Sequence, residues 1–473
     1  MWCKKFLRHL IFFFVAALSF LSWSCSSQQN KNAPNASTAE GDQNRVRVGA
    51  RKETFQTGKV IPEISCKTNP ALSFALYLPT SYDTLKKYPA IIFFDPHSSG
   101  NYVVTKYHHL AEEFGVILVG SNDSKNGLSF DQTNQIAGTL MNETISRLSV
   151  ENEITLSGFS GGSRVALSSA MSNQNASSVI YCGAAMPLQK GSRIFSTLGF
   201  AGVNDMNYTD VIAFDQSMQS TSYNHFLVEW NGKHEWPDSA SFRDAFYWLA
   251  FNRMRAHDIP FNPQMAQQFV DENNKRLSDS HDYLVQEAVQ EKIVFFLDGL
   301  YNIDRFKAGV TQLQQNPSYR KELSDKQKVL QQESAIKQQY IDEFQSKDLN
   351  WWKTEIARMN AVKDPQQKSM YQRLLGFISL AGYSISSNSI QQGKFEVAEK
   401  MLVIYKLADP KNSDQPFLEA CMFAKQGKDD EAVQSLQHAI DLGLNDSSKI
   451  LNEPALALLQ QNEKFKTLLS KMK

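Results

Sequence analysis

The chain reads as an α/β protein with a mostly parallel sheet in its first half, followed by an all-α region. Three observations predict this. Between Thr54 and Arg255 short β-rich runs alternate regularly with helical stretches, the succession that builds a sheet with right-handed crossovers. Several of those runs are continuously apolar rather than alternating, as strands buried on both faces are. Beyond Arg255 the composition shifts to Gln, Lys, Glu and Asp, with apolar residues at helical spacing.

In chain order, the first element stands outside the fold. Lys4, Lys5 and Arg8 precede the apolar run Leu10 to Leu21, the layout of a signal peptide and shorter than the roughly 20 residues a spanning helix takes. Cys25 follows "SWS" where a lipoprotein signal is cut and the cysteine lipidated. The alternative is an ordinary secretory signal with an incidental cysteine. Residues 1–24 are thus expected to be a leader of a bacterial exported protein, on the periplasmic or the surface side. Residues 25–53, polar and rich in Pro, Ser and Asn, have nothing to bury and read as a disordered tether.

The α/β domain is expected over residues 54–258. Its strand candidates are residues 72–79, 88–95, 114–121, 151–158, 177–184, 197–205 and 224–232, and its clearest helix candidates are 105–114, 131–150 and 163–174. In such sheets, functional groups gather at the carboxyl ends of the strands. One strand end carries "LSGFSGGSRVALSSA", in which Gly158-Phe159-Ser160-Gly161-Gly162 joins a strand to a helix. This is the G-x-S-x-G pattern of a nucleophile elbow in the context it requires. A sharp strand-to-helix turn strains the serine backbone, and side chains two residues either side would collide, so glycines stand there. The reward is an Oγ raised above the sheet at a helix N-terminus, where the Gly161 amide can face a developing oxyanion. The plainer reading is a small residue in a tight turn.

A nucleophilic serine needs a base, and the base an orienting acid, in the chain order Ser, Asp or Glu, His. Past Ser160 the α/β region offers His225, His234 and the outlying His257. His234 follows the strand "HFLVEW" in a polar turn, whereas His225 begins that strand. For the acid, Asp205 directly follows an apolar strand with Gly202 allowing the turn. Asp210, Asp215 and Glu229 are its rivals, and its own plain reading is a helix cap.

These segments, "GFSGG", "GVNDMNY" and "GKHEWP" in that order, resemble an α/β-hydrolase of the esterase and depolymerase type. "YPAIIFFDPHSSG" falls where that family places its third strand and first oxyanion loop. The resemblance covers somewhat under half of the chain. It implies a Ser160, Asp205, His234 triad, an acyl-enzyme, and oxyanion donors from the backbone of Gly161 and of His97 or Ser98. The sequence departs from the family at one point: Pro96-His97 is followed by Ser98-Ser99 before Gly100, where the family often has His-Gly, which leaves open which amide donates. Phe159, Tyr208, Trp230 and Trp236 are candidate walls of a substrate pocket, packing being the alternative for each.

Residues 259–370 read as a helical connecting region, with Trp351 and Trp352 as packing anchors. Residues 371–473 contain a repeat: "GKFEVAEKMLVIYKLADP" from Gly393 aligns with "GKDDEAVQSLQHAIDLGL" from Gly427, 34 positions apart (427 − 393). Ala398 pairs with Ala432 and Leu402 with Leu436. This resembles tetratricopeptide repeats, and implies either a groove for a protein partner or a pack that braces the preceding domain.

Composition narrows the function classes. Lys+Arg and Asp+Glu are equal at 49, so no global field points to nucleic acid. Cys66, Cys182 and Cys421 are too few and scattered for a disulfide framework or a metal set, and no cofactor is expected. The function this predicts is an exported, lipid-anchored serine hydrolase of small-molecule or polymer carboxylic esters, touching the membrane by its lipid alone. The alternatives are a hydrolase fold that has lost catalysis and serves assembly through its repeats, and a serine peptidase.

Overall fold

The computed structural model describes residues 52–151, 153–189, 191 and 193–472. The expected leader, Cys25 and nearly all of the tether lie outside these residues.

Eight strands form one sheet: β1 Val60–Ser65, β2 Ser73–Tyr77, β3 Ala90–Phe94, β4 Ile117–Ser121, β5 Ile154–Phe159, β6 Ala176–Cys182, β7 Ser196–Gly202 and β8 His225–Trp230. Their order is β1-β2-β4-β3-β5-β6-β7-β8. β3 pairs in parallel with β4 and β5, and β5 with β6, while β1 and β2 are antiparallel additions at one edge. All seven expected strands are present. The continuously apolar β3 and β4 are buried along their whole length, which is why their sequences do not alternate. β1 was not foreseen: "VIPEIS" is largely exposed, carries Pro62 and has an irregular register. Only an edge strand tolerates a residue that cannot donate to the ladder.

Five helices accompany the sheet: α1 Gly100–Phe114, α2 Phe130–Arg147, α3 Gly161–Ser172, α4 Tyr208–Met218 and α5 Ser239–Arg255. α1 starts five residues before the expected Thr105. Gly100 and Gly120 meet backbone to backbone, and a Cβ on either would strike the other's carbonyl group, so the helix start rests directly on β4. α2 opens with a reciprocal cap between Ser129 and Gln132.

Eleven further helices are described: α6 Pro263–Asp279, α7 Tyr283–Leu297, α8 Asp304–Gln315, α9 Pro317–Ser346, α10 Leu349–Asn360, α11 Pro365–Gln391, α12 Phe395–Ala408, α13 Asp414–Lys425, α14 Asp429–Asp441, α15 Ser447–Leu451 and α16 Glu463–Ser470. α11 runs straight through 370–371, so there is no boundary there. The repeat glycines Gly393 and Gly427 take φ of 70° and 73° between α11 and α12 and between α13 and α14, a conformation that favours glycine. Ala398, Leu402, Ala432 and Leu436 are buried in one core cluster. Trp352 stacks on Phe344 at 4.8 Å with Trp351 edge-on to it at 5.0 Å. Among the described residues no helix is long and apolar enough to cross a membrane.

The chain forms two compact units. One contains the described residues up to Gly199 with Phe214–Phe226 and Ser239–Ala250; the other contains Phe200–Ala213, Leu227–Asp238 and the chain from Phe251 onward. The end of β7, most of β8 and the segments that follow them group with the helical region.

Cys66, Cys182 and Cys421 are buried free thiols. Burial pushes the Cys66 thiol up to about 11 and Cys182 well above its ordinary value, which makes them packing groups rather than nucleophiles.

The first unit holds a buried carboxylate at the end of α2. Glu143 accepts from the Thr68 N–H and hydroxyl at 2.9 and 2.8 Å and from Arg147 at 2.9 Å, and Arg147 also donates to Glu53 and to the Ser65 carbonyl. Burial works to raise the Glu143 carboxyl, but these donors outweigh it and hold it at about 2, below its ordinary 4.5. A lowered carboxyl stabilises the fold fully above the ordinary value and loses that contribution as pH falls towards the folded one. Urea unfolding between pH 5 and 2 should therefore show a steep loss of stability, and Glu143→Gln should flatten it. An unchanged slope in the variant would refute the assignment.

Candidate active site

β5 ends at Phe159 and α3 begins at Gly161, so Ser160 alone makes the turn. Its φ of 51° and ψ of −118° lie where a non-glycine residue is strained. The surroundings hold it there. The Ser160 N–H donates to Cys182 O at 2.9 Å. One turn into α3, the buried Ser163 Oγ lies 2.7 Å from Gly158 O and 2.9 Å from Cys182 O and accepts from the Cys182 N–H at 2.9 Å. A Cβ on Gly158 would strike the Gly162 carbonyl, and one on Gly162 the Phe94 carbonyl. The two glycines thus serve close backbone approach, as their spacing about Ser160 predicts. Ser163 is a stabiliser of the turn that the sequence reading did not identify.

The loop after β3 is folded on itself. The His97 N–H donates to Asp95 Oδ1 at 2.8 Å, and the Ser98 N–H, at a positive φ of 59°, donates to Ser124 O at 2.9 Å. Both amides expected as oxyanion donors are therefore bonded inside the protein. A second loop, residues 122–129, supplies the Ser98 partner and pairs with the first: Asn126 N–H donates to Pro96 O at 2.9 Å. Its carboxamide oxygen occupies the place a Cβ on Gly161 would take. No local sequence signal marks Asn126, whose role comes from where its loop returns.

In the second unit, Asp205 and His234 are brought together. His234 Nδ1 is 2.9 Å from Asp205 Oδ1 and 3.0 Å from Oδ2. The Asp205 side chain is 2% exposed and that of His234 22%, so the acid is enclosed while the imidazole reaches solvent. Asp205 Oδ1 also accepts from the Asn207 N–H at 2.8 Å, and the Asp205 N–H donates to Gly202 O at 2.9 Å. The strand ends carrying the pair are tied by Val203 N–H to Trp230 O and Asn204 N–H to Gly232 O, both at 2.9 Å. Gly202 is needed less for the turn than for this approach, since a Cβ there would lie 2.7 Å from Gly232 O.

The rival residues have other partners. His225 bonds Asp215 at 3.1 Å, Glu229 accepts the Tyr208 hydroxyl at 2.5 Å, Asp210 lies within α4, and His257 closes the turn after α5.

The aromatic residues expected to wall a pocket, Phe159, Tyr208, Trp230 and Trp236, are all buried. The Trp230 ring covers Gly232, and the Tyr208 ring lies 4.8 Å from the Arg373 guanidinium. Among the described residues no group of three or more His, Cys, Asp or Glu side chains is disposed to hold a metal ion.

No family model and no curated protein matches this chain. Solved structures do. An esterase of Pyrobaculum calidifontis matches at 12% identity over 43% of this chain and 87% of its own, with a TM-score of 0.35. Esterase B of Lactobacillus rhamnosis matches at 15% identity over 44% and 93%, with a TM-score of 0.37. A fluorophosphonate-binding serine hydrolase of Staphylococcus aureus matches at 13% identity over 41% and 99%, with a TM-score of 0.34.

The glycine contacts give a graded test. Gly158→Ala and Gly162→Ala force Cβ atoms into backbone and should each cost on the order of 3 kcal/mol in urea unfolding. Gly161→Ala meets only the end of the Asn126 side chain, which can swing aside, and should cost about 1 kcal/mol or less. Equal losses in all three would contradict the packing described.

Proposed function

We propose that the chain is a serine hydrolase of carboxylic esters, with Ser160 as nucleophile, His234 as general base and Asp205 as its orienting acid. The observation that carries this is the enclosed Asp205 carboxylate on Nδ1 of a part-exposed His234. That bond leaves Nε2 as the basic nitrogen and gives the imidazolium, once formed, a charged partner. The strained Ser160 supports the same reading, because strain of this kind persists only where the surroundings enforce it.

In the reaction, His234 Nε2 takes the Ser160 hydroxyl proton as Oγ adds to the ester carbonyl, and the carbonyl π electrons move onto oxygen. The tetrahedral oxyanion is met by the Gly161 N–H, one of the first amides of α3, which helix geometry leaves without an intrahelical acceptor. Collapse expels the alcohol, which takes the proton from His234, and leaves an acyl-Ser160. Water, deprotonated by His234, then releases the acid and restores the serine. An ester is favoured over a peptide by the resemblance of the serine, acid and histidine segments to esterases. In the same reading, the N-terminal segment is an export and lipidation signal acylated on Cys25.

Two experiments test this. Fluorophosphonate should label the wild-type protein and should fail with Ser160→Ala and His234→Ala, while Asp205→Asn should lower kcat by about 10⁴-fold. Absence of labelling in folded wild type would overturn the hydrolase reading in favour of a binding role. Metabolic labelling with a palmitate analogue in a bacterial host should mark the wild type and not Cys25→Ala; equal labelling of both would refute acylation there.

A further inference from the structure

We infer that Arg373, Glu333 and Lys337, all in the helical region, are positioning residues for the Asp205–His234 pair. They act through two peptide groups that flank the acid. Arg373 on α11 donates from Nη1 to Val203 O at 2.7 Å and from Nε to Glu333 Oε2 on α9 at 2.8 Å. Lys337, one turn further along α9, donates to Met206 O at 2.7 Å and to Thr209 Oγ1 at 2.9 Å. It also ion-pairs with Glu333 at 2.9 Å. Glu333 and Arg373 are buried, and a Cβ on Gly376 of α11 would lie only 3.2 Å from Met206 Cβ.

A peptide group is a rigid plane with C=O at one end and N–H at the other. The Met206 carbonyl held by Lys337 shares its plane with the Asn207 N–H, which donates to Asp205 Oδ1 at 2.8 Å. The Val203 carbonyl held by Arg373 shares its plane with the Asn204 N–H, which donates to Gly232 O, two residues before His234. One cation therefore orients and polarises the amide that holds the acid, and the other fixes the amide that joins the acid segment to the histidine segment. The Tyr208 ring under Arg373 and its hydroxyl on Glu229, itself paired with Lys326 of α9 at 2.7 Å, close the same cluster. This assigns the helical region a part in the reaction. It is the frame on which the acid and base are aimed.

Only the kinetic arm of the test rests on the hydrolase reading. Lys337→Met removes a donor at little cost to packing. The double variant Arg373→Met with Glu333→Leu replaces a buried ion pair by apolar side chains, an exchange that folds commonly tolerate. Each is checked for folding by circular dichroism, then assayed on a chromogenic ester and by the far-downfield proton resonance of the His234 Nδ1–H. Both variants should lower kcat by about 10²-fold, leave KM within about threefold, and weaken or broaden the resonance. Lys337→Arg, which restores a donor to Met206 O, should recover most of both. If wild type neither labels nor hydrolyses, the hydrolase reading fails and the resonance alone decides. Folded variants with an unchanged resonance, and with wild-type kcat where there is activity, would overturn the inference.

Discussion

A carboxylate removed from water must be hydrogen-bonded, and much of this molecule follows from that requirement at Asp205. The desolvation of an unpaired carboxylate would cost several kcal/mol, so its donors must be rigidly supplied. One is a side chain, His234, and one a backbone amide, Asn207. A backbone amide is only as well placed as the peptide plane it belongs to. In the loop after β7 the Val203 and Asn204 amides bond to Trp230 O and Gly232 O, and the carbonyl ends of two of its peptide planes are taken by cations from α9 and α11, over sequence separations of 131 and 170 residues.

That arrangement lies within one compact unit: the end of β7, most of β8 and the loops after them group with the helices from Phe251 onward. Closing contacts over so long a stretch costs loop entropy only logarithmically in length, whereas each satisfied buried carbonyl avoids a desolvation penalty in full. A buried Glu–Arg pair is rarely a net source of stability compared with apolar packing. Here the Arg373 fork engages Glu333 through Nε and Nη2 and the Val203 carbonyl through Nη1.

The same distinction separates what could be read in the residues from what could not. Strands β2 to β8 are legible because each is a local run of apolar residues bounded by turns. The positions of Ser160, Asp205 and His234 are legible because each follows such a run at its carboxyl end. The repeat turns are legible in Gly393 and Gly427, since a left-handed φ leaves a glycine in the sequence. β1 escaped because an exposed edge with a proline carries neither pattern. The engaged amides of His97 and Ser98, the reach of Asn126 to Gly161, and the Arg373 clamp escaped for a different reason. They are pairings between distant loops or helices, and neither partner has a sequence feature that names the other. The aromatic residues near His234 were readable as aromatic, but whether such a ring faces a cavity or a neighbour depends on the completed packing.

Ser160 and Ser98 are two of three non-glycine residues at positive φ among the described residues, and each strained residue of this kind costs on the order of 1–3 kcal/mol. Glycine would relieve that cost at either position. At Ser98 the strain accompanies a loop whose amide is fixed to Ser124, so the cost is met by a hydrogen bond across two loops. At Ser160 the neighbouring glycines, the Cys182 carbonyl and the Ser163 hydroxyl all enforce the turn without using the Ser160 side chain. Conformational economy alone would place a further glycine there. A side chain at a position where the backbone is better off without one fits the reading proposed above, in which Ser160 stands there for its hydroxyl, raised at the head of a helix.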